Sequence, residues 1–501
     1  MRCPVLFLLP LALVLACEKV PTPEPVPEVP VPTAIALGSS RFSVEAGGEL
    51  LSLEITAPAR PKLSGLPDWI RFTDGTYKDY RITVGLTVDP NVAFEARTAS
   101  LTVSAAGVSP VTVTVEQSAL PRPEGPTGPG VDSEGWENAA AAARHMGAGW
   151  NLGNTLDANS GSADNMWIEA YSARTPSDYE TAWGQPLTTR ALIHMFKEAG
   201  FGAIRVPVTW YPHMGKVQVS GVRWDISTWT GYEIDPVWMA RVKEIVGYVL
   251  DEGLYCILNV HHDTGDATTA WLRADRAVYG AVRDRYCALW RQIATEFASC
   301  GERLLFESFN EMLDGSGNWN GSTDAAHDVI NLYNADFVAT VRATGGNNVR
   351  RNLILNTYSA SPDPKVLAAF RLPEDRVEGH LLAEVHSYAP YLFAFDAGQY
   401  EKTVFDASCE QEVRTQIGNL YTYLVSKGIP CVIGEYGCTS RRTEVEMAKQ
   451  AACYISAAAP CDIPCFYWMT LSEGADRSVP KWSKPLLKDA ILSAYNANKN
   501  N

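Results

Sequence analysis

Two glutamates stand at the ends of apolar runs. Glu311 closes Leu304-Leu305-Phe306-Glu307-Ser308-Phe309-Asn310-Glu311, and Glu435 closes Cys431-Val432-Ile433-Gly434-Glu435. A buried strand that ends in a carboxylate is where a parallel barrel delivers its chemistry. Two such carboxylates are the minimum set for cleaving a glycosidic bond, one as acid and one as nucleophile or base. Similar runs end in other polar residues: Asn151 and Asn154, Arg205, His261-His262-Asp263, Asn310, His386 with Tyr388, and Trp468. Each has a plain alternative. A strand histidine is more often a satisfied structural group, and Arg205 could pair with a core carboxylate such as Glu307 or Glu384. Packing alone does not explain why so many strands carry such residues at the same end.

The elements that must position these groups are legible as eight short apolar runs. They are Ala148 to Gly153, Ala203 to Val208, Tyr255 to His261, Leu304 to Asn310, Leu353 to Asn356, Leu381 to His386, Cys431 to Glu435 and Cys465 to Met469. Helical patterns lie between several of them. The clearest opens at Asp235-Pro236, repeats apolar residues at Met239, Val242, Ile245, Val246, Val249 and Leu250, and stops near Gly253. Asp as N-cap, Pro in the first turn and Gly past the end are the expected punctuation. Strand-helix alternation implies a parallel sheet. Residues 133–498 are long enough for a (β/α)8 TIM barrel, in which all the polar ends converge on one face.

The remaining sequence is organised before that barrel. Residues 1–16 read as a signal peptide: a basic start, then an apolar stretch too short to span a bilayer. The run Val14-Leu15-Ala16-Cys17 resembles a bacterial lipobox, which makes Cys17 the expected lipid-acylated N-terminus of an exported, outer-membrane or surface lipoprotein. Residues 17–33 alternate Pro with other residues, favouring an extended polyproline spacer. Residues 34–119 alternate apolar and polar residues in short runs separated by turns, which predicts a small immunoglobulin-like β-sandwich. Residues 120–132 form a second, Pro- and Gly-rich linker.

Composition bounds the partners. The 501 residues carry a net charge of −15 with 46% hydrophobic residues. That balance argues against nucleic acid and fits a neutral substrate. The 14 Trp and 21 Tyr leave room for sugar stacking beside ordinary packing, with Trp210, Trp271 and Trp319 as candidate platforms. A zinc site from His261, His262 and His386 is a competing reading, but no Cys cluster or HExxH-type helix accompanies it. No metal or cofactor is expected, and a monomer is.

The catalytic region resembles glycoside hydrolase family 5. The resemblance rests on Gly149-Trp150-Asn151-Leu152-Gly153-Asn154-Thr155-Leu156-Asp157, Ile204-Arg205-Val206-Pro207-Val208, Val260-His261-His262-Asp263, Phe309-Asn310-Glu311, Val385-His386-Ser387-Tyr388, Ile433-Gly434-Glu435-Tyr436-Gly437 and Tyr467-Trp468, in family order. The first of these most resembles subfamily 4, whose members cut β-1,4-glucan backbones including xyloglucan. Residues 65–70, 98–103 and 111–117 look like a BACON domain. Lipoprotein, BACON and family 5 together resemble surface xyloglucanases of gut Bacteroidetes. The resemblance implies a retaining endo-β-1,4-glucanase acting on β-glucan polysaccharide. It implies Glu311 as acid/base and Glu435 as nucleophile, with Arg205 and Tyr388 on Glu435. It further implies Asn310 on the sugar 2-hydroxyl, His386 beside Glu311, and Trp468 under the sugar.

Four further details concern single residues. The nucleophile must be ionised, which a nearby Arg205 favours. Asn259 in an apolar run suits the barrel interior, and His261 shares its parity, so His261 is taken as the family histidine and His262 as a subsite neighbour. Family members often follow the acid/base with Pro; this chain has Met312. Cys431 and Cys465 read as small core residues, and no disulfide pairing is assignable.

Overall fold

The computed structural model describes residues 29–45, 48–67, 69–89, 91, 96–118, 130–131, 135–319, 322–395, 398–468 and 474–499. The signal-like segment, Cys17 and most of both linkers lie outside them. The described residues form two compact units, one within residues 29–118 and the other from residue 130 onward.

The first unit is a β-sandwich of two four-stranded sheets. One sheet orders Ala36–Leu37, Glu49–Thr56, Arg81–Val88 and Ile70–Thr73; the other orders Arg41–Val44, Val111–Gln117, Arg97–Ser104 and Lys62–Ser64. Every second side chain points between the sheets. Leu51, Leu53 and Ile55 meet Val84, Leu86, Leu101, Val103, Val113 and Val115 there. Trp69 is half-buried at the edge of this core, with the Arg97 guanidinium 4.3 Å above its ring. Of the eight strands, Ala36–Leu37 and Lys62–Ser64 are too short to show alternation in the sequence.

The second unit is a closed, all-parallel barrel of eight strands: β1 (Ala148–Asn151), β2 (Ala203–Val206), β3 (Tyr255–Asn259), β4 (Leu304–Glu307), β5 (Leu353–Asn356), β6 (Leu381–His386), β7 (Cys431–Tyr436) and β8 (Cys465–Trp468). Helices return the chain between strands. Helix Pro236–Asp251 starts where Asp235 accepts a bond from the Val237 N–H, and it buries Trp238, Met239, Val242, Ile245, Val246 and Val249. Cys431 and Cys465 are buried free thiols. Between β2 and that helix the chain inserts a hairpin, Met214–Ser220 with Arg223–Ile234, which the sequence reading did not foresee.

The barrel interior is layered. Near the N-terminal ends of the strands, Ala203, Tyr255, Ile257, Leu305, Ile354, Leu382, Val432 and Phe466 pack together with Ala139, Ala142, Ala143 and Met146 of the preceding helix. Two residues further along the same strands the inward positions are polar. Asn151, Arg205, Asn259, Glu307, Asn356 and Glu384 are all fully buried there.

One strand departs from strict alternation. Val385 pairs with Ile433 but His386 pairs with Glu435, so Gly434 is an extra residue in β7. Alternation from Val432 would turn residue 434 inward and residue 435 outward. The bulge lets both face the interior.

Candidate active site

Glu435 is held on both oxygens. Arg205 donates from Nη1 to Oε1 at 2.7 Å, and Tyr388 donates from its hydroxyl to Oε2 at 2.7 Å. Arg205 is itself fixed from several sides. Its Nε and Nη2 grip Glu307 at 2.7 and 2.8 Å, and it also donates to the side-chain oxygens of Asn151 and Asn310. Asn259 completes the floor by donating to Glu307 at 2.9 Å. Both sequence readings of Arg205 therefore hold at once. It pairs with the buried Glu307 and reaches Glu435 as well.

Glu311 lies just past the end of β4, less buried than Glu435. His386 stands between them. Its Nδ1 is 2.7 Å from Glu311 Oε1 and 3.5 Å from Glu435 Oε2. One carboxylate oxygen of each glutamate and a ring nitrogen of His386 fall within 4.8 Å of one another.

The opposite wall is aromatic. The Trp468 ring lies parallel to His261, 7° off, with centroids 5.8 Å apart. Asn259 Nδ2 lies 3.0 Å from His261 Nδ1, leaving the far nitrogen to carry the hydrogen. His262 sits behind, against Trp183 at 5.5 Å and 3.9 Å from Asp157. Asp157 accepts the backbone N–H groups of Asn154 and Thr155. Asn154 thus enters the rim through its backbone, in a left-handed conformation at φ 57° that Asn tolerates. His386 faces the glutamates while His261 and His262 gather around Asp157, so the three histidines do not form one ligand set.

Burial sets the electrostatics. It pushes Glu435 above the ordinary carboxylate range; His386 and Arg205 pull it back, Glu311 pushes it up, and Tyr388's donated bond lowers it. The expectation that Arg205 and Tyr388 favour the ionised form holds in direction but omits the larger effect of desolvation. Burial also opposes the charge of Arg205, but Glu307, Glu384 and Glu435 more than offset it. The two wall histidines are driven towards neutrality, His261 strongly, chiefly by burial. The Tyr388 phenol is kept protonated by burial and by the nearby carboxylates, so it remains a donor.

Other aromatic candidates divide. Trp210 and Trp271 are core residues that donate to Asn259 O and Asp263, whereas Trp319 is 40% exposed. Sequence reasoning had named Glu307 and Glu384 only as possible partners of Arg205. The signal for a larger part was their shared parity with catalytic-type residues on the same strands.

This set of two carboxylates, a hydrogen-bonded floor centred on Arg205 and an aromatic wall is suited to holding a sugar and exchanging a proton at its glycosidic oxygen. A family model for cellulase (glycosyl hydrolase family 5) matches residues 167–474. Endoglucanase A of Clostridium longisporum is 33% identical over 378 residues, covering 73% of this chain and 67% of its own length. A family 5 enzyme of Prevotella bryantii, solved with a xyloglucan tetradecasaccharide, is 39% identical with a TM-score of 0.64, covering 72% of this chain and 99% of that one. A xyloglucanase of Bacteroides ovatus, solved with a heptasaccharide, is 27% identical with a TM-score of 0.63 and covers 92% of this chain and 100% of that one. With the matched model spanning more than half of the sequence and enclosing both glutamates, the chain belongs to glycosyl hydrolase family 5, the cellulase family.

Proposed function

We propose that the protein is a retaining endo-β-1,4-glucanase whose first substrate is xyloglucan. The observation that carries the retaining mechanism is the short spacing of Glu311 and Glu435, with oxygens of both inside one 4.8 Å cluster around His386. Retaining enzymes place their carboxyl groups about 5–5.5 Å apart, and inverting enzymes leave room for a water between them. Glu435 attacks the anomeric carbon while Glu311 protonates the departing glycosidic oxygen. Glu311 then takes a proton from the water that releases the glycosyl-enzyme. Asn310, oriented by Arg205, meets the 2-hydroxyl, and Trp468 underlies the sugar at the cleavage point.

Xyloglucan is preferred because the Prevotella bryantii relative was solved with a xyloglucan oligosaccharide and the Bacteroides ovatus relative, which covers nearly the whole chain, is a xyloglucanase. We read Cys17 as a lipid-acylated N-terminus that anchors a monomer at the cell surface. The sandwich is read as a BACON-type spacer that lets the barrel reach bulky polymer.

The test is hydrolysis of xyloglucan, mixed-linkage glucan and carboxymethyl cellulose by the full-length protein beside Glu435→Ala. Oligosaccharides released fastest from xyloglucan, with at least about a 10^4-fold loss in the variant, are expected. Release only from unbranched glucans would discard the xyloglucan assignment, and an active variant would discard the nucleophile.

A further inference from the structure

Glu384 lies on β6 two residues before His386 and shares its inward face. It is fully buried, and neither of its carboxylate oxygens has an aligned hydrogen-bond donor. A buried carboxylate without such support is costly to keep charged. Two cations are in reach: His386 Nε2 at 2.9 Å from Oε1, an ion pair rather than an aligned hydrogen bond, and Arg205 at 3.9 Å. Arg205 is already committed to Glu307 and Glu435. The charge of Glu384 is therefore addressed to His386. The backbone makes room for it, because a Cβ on Gly434 would stand 1.7 Å from Glu384 Oε1.

The other side of His386 faces Glu311 and Glu435. Arg205 Nη2, 3.4 Å from Nε2, is a like charge, and His261 and the Tyr388 phenol face the same cavity. Below Glu384 the Cys431 thiol is kept protonated by burial. Burial would discharge the imidazole, yet Glu435, Glu384 and Glu311 together outweigh it and raise His386 well above its ordinary value.

We propose that Glu384 is a positioning residue for the acid/base: beside Glu435 and Glu311, its buried charge helps keep His386 an imidazolium, which orients Glu311 and stabilises the carboxylate that Glu311 becomes. The proposal rests on the reading of Glu311 as acid/base. In the first step the Glu311 proton passes to the glycosidic oxygen, the C1–O bond breaks, and Glu435 forms its own bond to C1. Negative charge thereby leaves Glu435 and appears on Glu311. The same imidazolium touches both carboxylates, so it serves as the fixed pivot of that transfer. The second step, with water, returns the charge by the same route.

The test is kcat/KM on two cellobiosides. One carries 2,4-dinitrophenol, which departs without a proton; the other carries phenol, which needs one. Glu384→Gln keeps the volume and removes the charge. It is expected to lose about 10–100-fold on the phenyl glycoside and less than about 3-fold on the dinitrophenyl one. Its His386 ring, followed by 15N NMR, should give up its proton at lower pH, because a neighbouring negative charge is gone. Glu384→Asp, which keeps the charge but withdraws it, should fall between; it carries the same test if the Gln variant does not fold. Equal losses on both substrates, or an unmoved His386 titration, would overturn the proposal. Glu311→Ala is the control. If it shows no leaving-group discrimination, the acid/base reading fails before Glu384 is judged.

Discussion

The barrel interior holds two layers built by the same strands, two residues apart, and they follow opposite rules. The lower layer is built from Ile257, Leu305, Ile354, Leu382 and Val432, with Tyr255 and its hydrogen-bond partner Glu137 at its edge. The upper layer places Arg205, Glu307 and Glu384 fully out of water, with Glu435 nearly so at the cleft. Apolar burial lowers the free energy in proportion to area. Buried charge raises it unless each group is paired and bonded. One strand therefore does both jobs, with the lower residues supplying the stability that lets the upper ones remain charged.

Making the layers alike should break this division. Arg205→Met gives the upper layer a lower-layer side chain and leaves Glu307 and Glu435 facing one another. We expect a destabilisation of roughly 3–5 kcal/mol and a kcat loss on the order of 10^3-fold, read by chemical denaturation and by initial rates. Leu305→Ala opens a cavity in the lower layer. It should cost about 2–5 kcal/mol in the same denaturation experiment while kcat per folded molecule stays unchanged. A kcat loss there would mean that the layers are not separable. The smallest effect is expected outside both. Trp319→Ala removes an exposed ring from the loop after β4, and should raise KM on xyloglucan about 3-fold with kcat and thermal stability intact.

The division also explains what could be read from sequence. The eight strands were legible because each is a short apolar run, most of them carrying a polar group at or near the C-terminal end, as a closed interior with a functional rim demands. Glu311, Glu435, Arg205, His386 and Tyr388 come together because parallel strands bring their C-terminal ends to one rim. Parity placed Asn259 and His261 on one face, where they hydrogen-bond. Three things were not legible. Trp210 and Trp271 are core, since an aromatic next to a rim looks the same in sequence whether it faces the sugar or the protein. The hairpin Met214–Ser220 with Arg223–Ile234 carries irregular pairing that breaks its alternation. The long segment after β1 contains helices Trp167–Tyr171 and Pro176–Glu180, too short to show a period.

The extra residue in β7 has a consequence for how this sequence can change length. Two consecutive inward positions are required there: an empty one at Gly434 to admit Glu384, and a filled one at Glu435. Loss of a single residue would move the Glu435 carboxylate one step down the strand into the space that Glu384 occupies. Gain of one would carry it off the strand end, away from Arg205 and Tyr388. The turn at Gly221, between the arms of the hairpin, has open space around it and can vary in length. A sequence with loops this permissive is thus pinned, at the end of one strand, to a fixed count of residues.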